Sequence, residues 1–280
     1  MSLIWLAALV VVLLALAVFS VRRLATLDER GWVGRFGTPL LFGAWVLVFW
    51  ELLTQALDVP RVLLPAPSVI GHSLLIGWPV LAGDFVQTVL HSALIGLVAG
   101  CSLGFVTGVL IDRSPFLQRG LLPLASLASA VPLIGIAPIM VMWFGFDWES
   151  KAAVVVIMTF FPMLVNTLAG LAESGHMERD LMRSYGASYW RTLFSLRIPV
   201  ALPFLFPSLR VGIAAGLVGA IVGELPTGAQ AGLGARLLTG SYYGNTVQIW
   251  SALVMSALLG LVLTGAVAFA ERALTPGGRK

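Results

Sequence analysis

Long apolar runs separated by short polar segments dominate the pattern of this 280-residue chain. A transmembrane helix needs about 20 consecutive, mostly apolar residues. Seven runs reach that length, and they cover residues 2–20, 38–57, 85–111, 119–145, 150–172, 199–224 and 247–270. The pattern therefore predicts an all-α, polytopic membrane protein with about seven transmembrane helices.

The first run is predicted to be a retained transmembrane helix rather than a cleaved signal peptide. No Lys or Arg precedes it, Arg22 and Arg23 follow it, and no small-residue cleavage site is clear. We therefore expect the N-terminus to lie outside.

Composition and charge agree with that topology. Charged residues make up 11% of the chain, whereas a soluble domain carries roughly 25%. With the N-terminus outside, thirteen Lys and Arg residues fall on the cytoplasmic side and three on the other. Because Lys and Arg concentrate in cytoplasmic loops, the net charge of +4 indicates orientation rather than a nucleic-acid partner. The cytoplasmic segments are 21–37, 112–118 with Arg119 at its boundary, 173–198 and the tail after 270.

Glycine stripes run along two of the apolar segments. Such stripes let helix backbones approach closely in lipid, so we expect packing faces rather than substrate-lining faces. The glycines are Gly96, Gly100, Gly104 and Gly108 in the third run and Gly212, Gly216, Gly219 and Gly223 in the sixth.

Proline and glycine also shape the other segments. The fourth run is predicted to be kinked or broken by Pro123, Pro132 and Pro138. In segment 58–84, two prolines prevent a regular helix before Ser68 and favour a short interfacial helix after it. The Gly-rich segment 225–246 is expected to form a compact, turn-rich cap.

A polar, arginine-bearing segment at residues 176–203 separates the fifth and sixth runs. Its first part consists of good helix formers, and Gly186 then interrupts the pattern. Ser188 can cap a second short helix, Tyr189–Leu196, which is predicted to end before Pro199. We therefore expect two short helices, hinged at a glycine, that lie flat under the membrane.

Apolar and basic side chains are expected on different sides of this segment. The apolar faces are predicted to comprise Leu181, Met182 and Tyr185 in the first helix and Tyr189, Trp190, Leu193 and Phe194 in the second. The arginines Arg179, Arg183, Arg191 and Arg197 are predicted to occupy the polar side. Two interpretations fit: an interfacial loop that binds lipid phosphates, or a docking surface for a cytoplasmic partner.

The sequence lacks a phosphate-binding loop of its own. Its only lysines are Lys151 and Lys280, and neither lies in a Gly-x-x-x-x-Gly-Lys-Ser/Thr pattern. If ATP drives this protein, another polypeptide hydrolyses it.

The 176–203 segment resembles the signature loop of importer-type ABC transporter permeases. That pattern runs Glu-Ala-Ala, three residues, Gly, nine residues and Ile-x-Leu-Pro. Its last four landmarks correspond to Gly186, Leu196, Ile198 and Pro199, and the extended Gly-Ala-Ser…Trp form corresponds to Gly186, Ala187, Ser188 and Trp190. The Glu-Ala-Ala places are filled by Asp180, Leu181 and Met182, so only the acidic character is kept.

Further matches resemble permeases of the nitrate, sulfonate and taurine group. They comprise Leu64–Ser68, Phe161 with Pro162, Asn166, Gly170, Glu224 and Gly232–Gly234. The resemblance spans about residues 60–270 and implies a type I importer permease core with an extra N-terminal helix.

The resemblance also implies a domain organisation. Residues 1–37 would form the extra helix and a cytoplasmic linker, and 38–84 a second helix with a periplasmic interfacial segment. Residues 85–270 would form the permease core with a coupling loop at 176–198, and 271–280 a cytoplasmic tail. We call residues 176–198 the coupling segment.

The resemblance further implies partners and a mechanism. Two permease chains, expected to be identical, would form one pathway in a bacterial inner membrane. Two ATPase subunits would each receive a coupling segment, with Tyr185 among its docking residues, and a periplasmic binding protein would deliver a small solute. ATP and Mg would be used by the ATPase, and this chain would need no catalytic residue, cofactor or metal.

Polar residues inside the runs are the candidates for the pathway or a gate. His91 and Asn166 are expected to hydrogen-bond neighbouring helices, with substrate contact as the alternative. Arg210 is the basic residue inside a run that could meet an anionic solute, and Glu224 could stabilise the cap or a gate. Asp84 is expected to reach water, and Glu173 to pair with Arg210 or a nearby arginine.

Two other functions remain as alternatives. An ATP-independent secondary transporter would need inverted repeats and ion-binding carboxylates in the membrane. No clear internal repeat is present, and few carboxylates lie deep in the runs. An intramembrane hydrolase would need a nucleophile beside His91, and no such motif accompanies it.

Overall fold

The computed structural model describes residues 3–27, 36–114, 116, 117, 120, 133–228 and 231–274. Twelve α-helices lie in these ranges, and no strand occurs among them. They are α1 (Leu3–Leu27), α2 (Thr38–Ala56), α3 (Pro67–Ile76), α4 (Trp78–Phe85), α5 (Ile95–Asp112), α6 (Leu133–Phe144), α7 (Trp148–Ala172), α8 (His176–Ser184), α9 (Tyr189–Thr192), α10 (Ile198–Glu224), α11 (Leu233–Tyr242) and α12 (Thr246–Leu274).

Five helical stretches in the described part are long and apolar enough to cross a membrane. They are Thr38–Ala56, Trp78–Asp112, Trp148–Ala172, Tyr189–Thr227 and Thr246–Leu274. These stretches correspond to five of the seven predicted spans, and the all-α prediction is confirmed. The first predicted span coincides with α1. Helix α6 forms the end of the predicted span 119–145, while residues 119 and 121–132 of that span lie outside the described ranges.

Two π-helical stretches join helices that the sequence pattern had separated. Val86–Leu94 connects α4 to α5, and Leu193–Arg197 connects α9 to α10. Because a π-turn keeps the backbone hydrogen-bonded through i→i+5 contacts, the helix does not break there. The third span therefore begins at Trp78, earlier than the predicted residue 85.

The chain divides into two compact units, and the larger comprises residues 77–239 and 252–280. Its centre is α7, which packs against both α5 and α10. Both glycine stripes face α7: a Cβ atom on Gly96 would lie 2.5 Å from the Cβ of Val155, and one on Gly216 would lie 3.1 Å from Val155 Cγ1. The stripes are therefore packing faces, as the sequence predicts.

The smaller unit comprises residues 1–76 and 240–251. Trp45 Nε1 on α2 donates to Ser20 Oγ on α1 at 3.0 Å. Glu51 accepts hydrogen bonds from the backbone N–H and the hydroxyl of Ser68, at 2.8 and 2.7 Å, next to the start of α3. The short helix expected after the prolines is therefore present, and it begins at Pro67.

Candidate functional site

The turn between α8 and α9 is fixed by local backbone contacts. Gly186 has φ +68°, a left-handed conformation that glycine adopts without a Cβ clash. Its N–H donates to the Arg183 carbonyl at 2.8 Å, and the Ala187 N–H donates to the Met182 carbonyl at 3.0 Å. These two bonds form a Schellman motif, which satisfies the last carbonyls of α8. The predicted glycine hinge is thus a defined turn.

The start of each short helix is capped as well. Glu178 Oε2 accepts the Gly175 N–H at 2.6 Å ahead of α8. The Ser188 hydroxyl accepts the Arg191 N–H at 3.3 Å ahead of α9, which is the cap that the sequence predicts.

Several large apolar side chains on this capped segment are exposed. Tyr185 is 80% exposed and Phe194 65%, and Leu181 and Trp190 are also exposed. Met182 and Tyr189 are half-buried, whereas Leu193 is buried. Apolar groups in this setting are typical of a contact surface rather than of a solvated loop.

The remaining predicted residues of the coupling segment surround this surface. Asp180 forms an exposed ion pair with Arg183 at 3.5 Å. Ser188 and Pro199 are exposed, while Ala187, Leu196 and Ile198 are half-buried.

The second short helix does not end before Pro199, and that prediction is wrong. Instead, α9 passes through the π-helical stretch Leu193–Arg197 directly into α10. Pro199 occupies the first turn of α10. Proline is tolerated in the first turn of a helix.

Arg197 does not lie on the polar side of the segment, and that prediction is also wrong. The residue is 8% exposed. Its Nη1 and Nη2 atoms donate to the two carboxylate oxygens of Asp112 at 2.6 and 2.9 Å. Its Nε and Nη2 atoms also donate to the Leu171 carbonyl, at 3.2 and 2.9 Å. Arg197 therefore joins the coupling segment to the ends of α5 and α7.

Apolar and aromatic contacts reinforce that attachment. Leu193 is packed in a buried cluster with Val109, Leu171 and Ala201. The guanidinium of Arg113, which follows Asp112, lies 5.5 Å from the ring centroid of Tyr189 and 6.0 Å from that of Trp190. Sequence reasoning missed Asp112 and misplaced Arg197. The sequence signal for the burial of Arg197 was its four-residue spacing from Leu193, which puts both side chains on one helix face.

A second polar cluster lies at the other end of α10, around its last residue, Glu224. Glu224 is fully buried. It accepts hydrogen bonds from the Thr88 hydroxyl at 2.7 Å and from the Gly234 N–H at 2.6 Å. Thr88 in turn accepts the Leu233 N–H at 2.8 Å. Glu224 therefore holds the loop Gly232–Gly234, which we call the cap loop.

Asp84 holds the same loop, contrary to the expectation that it reaches water. Only 1% of Asp84 is exposed. It accepts the Gly232 N–H at 2.8 Å and the Arg236 Nε–H at 2.5 Å. Segment 225–246 is also less turn-rich than predicted, because α11 occupies Leu233–Tyr242.

Comparison with known proteins identifies the family. The model of the binding-protein-dependent transport system inner membrane component matches residues 93–279. The chain belongs to that family. The formylaminopyrimidine transport permease protein ThiX of Halalkalibacterium halodurans is 31% identical over 248 residues, covering 86% of this chain and 96% of that protein. The putative aliphatic sulfonates transport permease protein SsuC of Bacillus subtilis is 24% identical over 258 residues, covering 91% of each.

A solved structure shows the same fold. The MetNI methionine ABC transporter, in an inward-facing conformation, matches with a TM-score of 0.62 at 19% sequence identity. The match covers 71% of this chain and 98% of that chain. The chain is a permease subunit of an ABC importer of the nitrate, sulfonate and taurine type, with the type I importer fold. This confirms the predicted permease over a secondary transporter.

The other pathway candidates of the permease do not meet in one place. His91 is exposed, and its Nδ1 lies 3.4 Å from Gln87 Oε1 on the same helix. Asn166 donates to the Pro162 carbonyl within α7 at 2.8 Å rather than to a neighbouring helix. Arg210 forms an ion pair with Glu271 of α12, not with Glu173. The structure thus gives these three residues separate contacts, and their role in the pathway stays a prediction.

Proposed function

We propose that this permease pairs with a second copy of itself and receives an ATPase subunit on each coupling segment. ATP binding would bring the two ATPase subunits together and move the coupling segments toward each other. The membrane helices would then alternate between inward-open and outward-open forms. ATP hydrolysis would belong to the separate subunit.

The exposed aromatic and aliphatic side chains of the coupling segment carry this proposal. Tyr185, Trp190 and Phe194 are exposed although each short helix is capped at its start and the turn between them is fixed at Gly186. A lipid-binding loop would gain from mobile arginines, whereas a partner's groove is best filled by apolar groups held in fixed positions. The docking interpretation is therefore favoured over the lipid interpretation.

We propose that the transported solute is small and resembles those named for the relatives. ThiX is named for formylaminopyrimidine and SsuC for aliphatic sulfonates. A periplasmic binding protein would select the solute, and the permease, an inner-membrane protein with its N-terminus outside, would supply the pathway. Uptake of a labelled sulfonate compared with a labelled pyrimidine precursor would discriminate between the two classes.

Variants of the coupling segment test the docking proposal. Trp190→Asp places a charge where an apolar contact is expected, and Gly186→Pro cannot adopt φ +68°. We expect both variants to insert into the membrane normally but to lose ATP-driven uptake and ATPase stimulation in reconstituted vesicles. Trp190→Phe keeps an aromatic ring and should retain both activities. Normal transport by Trp190→Asp and Gly186→Pro would show that the ATPase docks elsewhere.

A further inference from the structure

Arg197 occupies a position where three helical elements converge. It belongs to the π-helical stretch between α9 and α10, and it binds the last residue of α5 and the penultimate carbonyl of α7. These partners lie 85 and 26 residues away in the sequence. We call Asp112, Leu171 and Arg197 the clamp.

The hydrogen bonds of the clamp fix both the distance and the orientation of Arg197 relative to Asp112. The guanidinium is a planar fork, and its two parallel bonds to Asp112 allow little sliding or rotation. The Asp112 and Arg197 side chains are only 10% and 9% exposed, so solvent screens their attraction weakly. The Leu171 carbonyl lies at the end of α7, where helical carbonyls lack intrahelical partners. Apolar packing at Leu193 alone would permit slippage that these bonds resist.

A second contact ties the coupling segment to α5 at the neighbouring position. Arg113 lies over the Tyr189 and Trp190 rings, so the last residue of α5, Asp112, and the residue that follows it hold the second half of the segment at two places. The ion pair between Asp180 and Arg183 differs, because its side chains are 70% and 81% exposed and both belong to α8. Exposed pairs within one helix contribute little to rigidity.

We propose that Arg197 is a positioning residue that transmits displacement of the coupling segment to α5 and α7 through the clamp. This inference rests on the proposed docking of an ATPase at that segment. The clamp makes the coupling segment and the two helix ends move as one body. Without it, the ATPase would still bind and hydrolyse ATP, but the helices would follow its motion incompletely.

The test compares Arg197→Gln, Asp112→Asn and the double variant in vesicles reconstituted with the ATPase and the binding protein. Three quantities are measured: the ATPase co-purified with the permease, the rate of ATP hydrolysis, and the solute taken up per ATP hydrolysed. We expect the co-purified ATPase and the rate of ATP hydrolysis to stay within about twofold. The solute taken up per ATP should fall about tenfold, which is in the usual range of coupling between sites. The double variant should resemble the single variants, because either change alone breaks the two-bond ion pair between Arg197 and Asp112.

Two controls separate transmission from stability and from charge. Leu168→Ala weakens a buried apolar cluster with Ile111 and Leu164 that contains no residue of the coupling segment, so it should lower the melting temperature and keep the uptake per ATP. Arg22→Gln on α1 removes one positive charge from a residue outside the coupling segment, and it should change neither the melting temperature nor the uptake per ATP. The proposal fails if Arg197→Gln and Asp112→Asn keep normal uptake per ATP, or if Leu168→Ala reduces it equally. It also fails if the loss in the double variant equals the product of the two single losses. Trp190→Asp tests the docking proposal separately. If that proposal is wrong, this variant will keep both ATPase binding and normal uptake.

Discussion

At the scale of single residues, Gly232 shows how tightly the cap loop is built. Its φ is +124°, and a Cβ atom there would lie 2.5 Å from Glu224 Oε2 and 2.6 Å from its Cδ. We therefore expect Gly232→Ala to destabilise the protein by about 1–3 kcal/mol, through backbone strain and displacement of the buried carboxylate. Thermal unfolding of the purified permease in detergent measures this loss.

A neighbouring glycine provides the matched control. Gly228 also has a positive φ, +58°, but a Cβ atom there would meet nothing within 4 Å. Gly228→Ala should therefore lower the stability of the protein only through the strain of a positive φ in a non-glycine residue, by about 1 kcal/mol. Equal losses in the two variants would show that contact with Glu224 does not determine the tightness of the loop.

Local residue chemistry was predictable from the sequence, and long-range pairing was not. Gly186 and Ser188 were placed correctly because a left-handed turn and an N-cap depend on a few neighbouring residues. The partners of Arg197, Glu224 and Asp84 lie 85, 136 and 148 residues away. One sequence carries no signal for such distances, so these partners appeared only in the structure, although the sequence did indicate that Glu224 could stabilise the cap.

At the scale of helices, the contact between α5 and α7 depends on the absence of side chains. A Cβ atom on Gly104 would lie 2.5 Å from the Phe160 carbonyl oxygen and 3.0 Å from the Met163 Cβ. Gly104→Ala should therefore push the two helices apart and cost about 1–3 kcal/mol. The melting temperature and the fraction of monodisperse protein after detergent extraction should both fall.

On α2, a Gly→Ala substitution should not lower the stability of the protein. Gly43 has nothing within 4 Å of an added Cβ, and alanine is the better helix former by about 1 kcal/mol. Gly43→Ala should therefore leave the melting temperature unchanged or raise it. A loss at Gly43 as large as that at Gly104 would contradict the packing interpretation of the stripe.

Helix positions were easier to predict than helix continuity. Apolar runs of sufficient length located the spans, because length and hydropathy are properties of the segment itself. The π-helical stretches at Val86–Leu94 and Leu193–Arg197 have no comparable signature. Thr88 and Arg197 lie in these stretches, and both bind distant elements. Tertiary bonds of this kind favour a wider turn that the local pattern does not reveal.

At the scale of the whole molecule, the distribution of basic residues predicts the orientation in the membrane. Thirteen Lys and Arg residues lie on the predicted cytoplasmic side and three on the other. Because Cys101 is the single cysteine and is buried, a Cys101→Ala background allows cysteine labelling at chosen positions. Met177 and Tyr243 are 86% and 76% exposed and lie on opposite predicted sides.

We expect Tyr243→Cys in that background to react with a membrane-impermeant maleimide in intact spheroplasts. Met177→Cys should react only after the membrane is permeabilised, because it lies in the coupling segment on the predicted cytoplasmic side. The Cys101→Ala protein alone should take up no label. The reverse pattern would invert the predicted topology and place the coupling segment outside, where no cytoplasmic ATPase could reach it. Labelling therefore tests the one arrangement on which the docking surface and the clamp both depend.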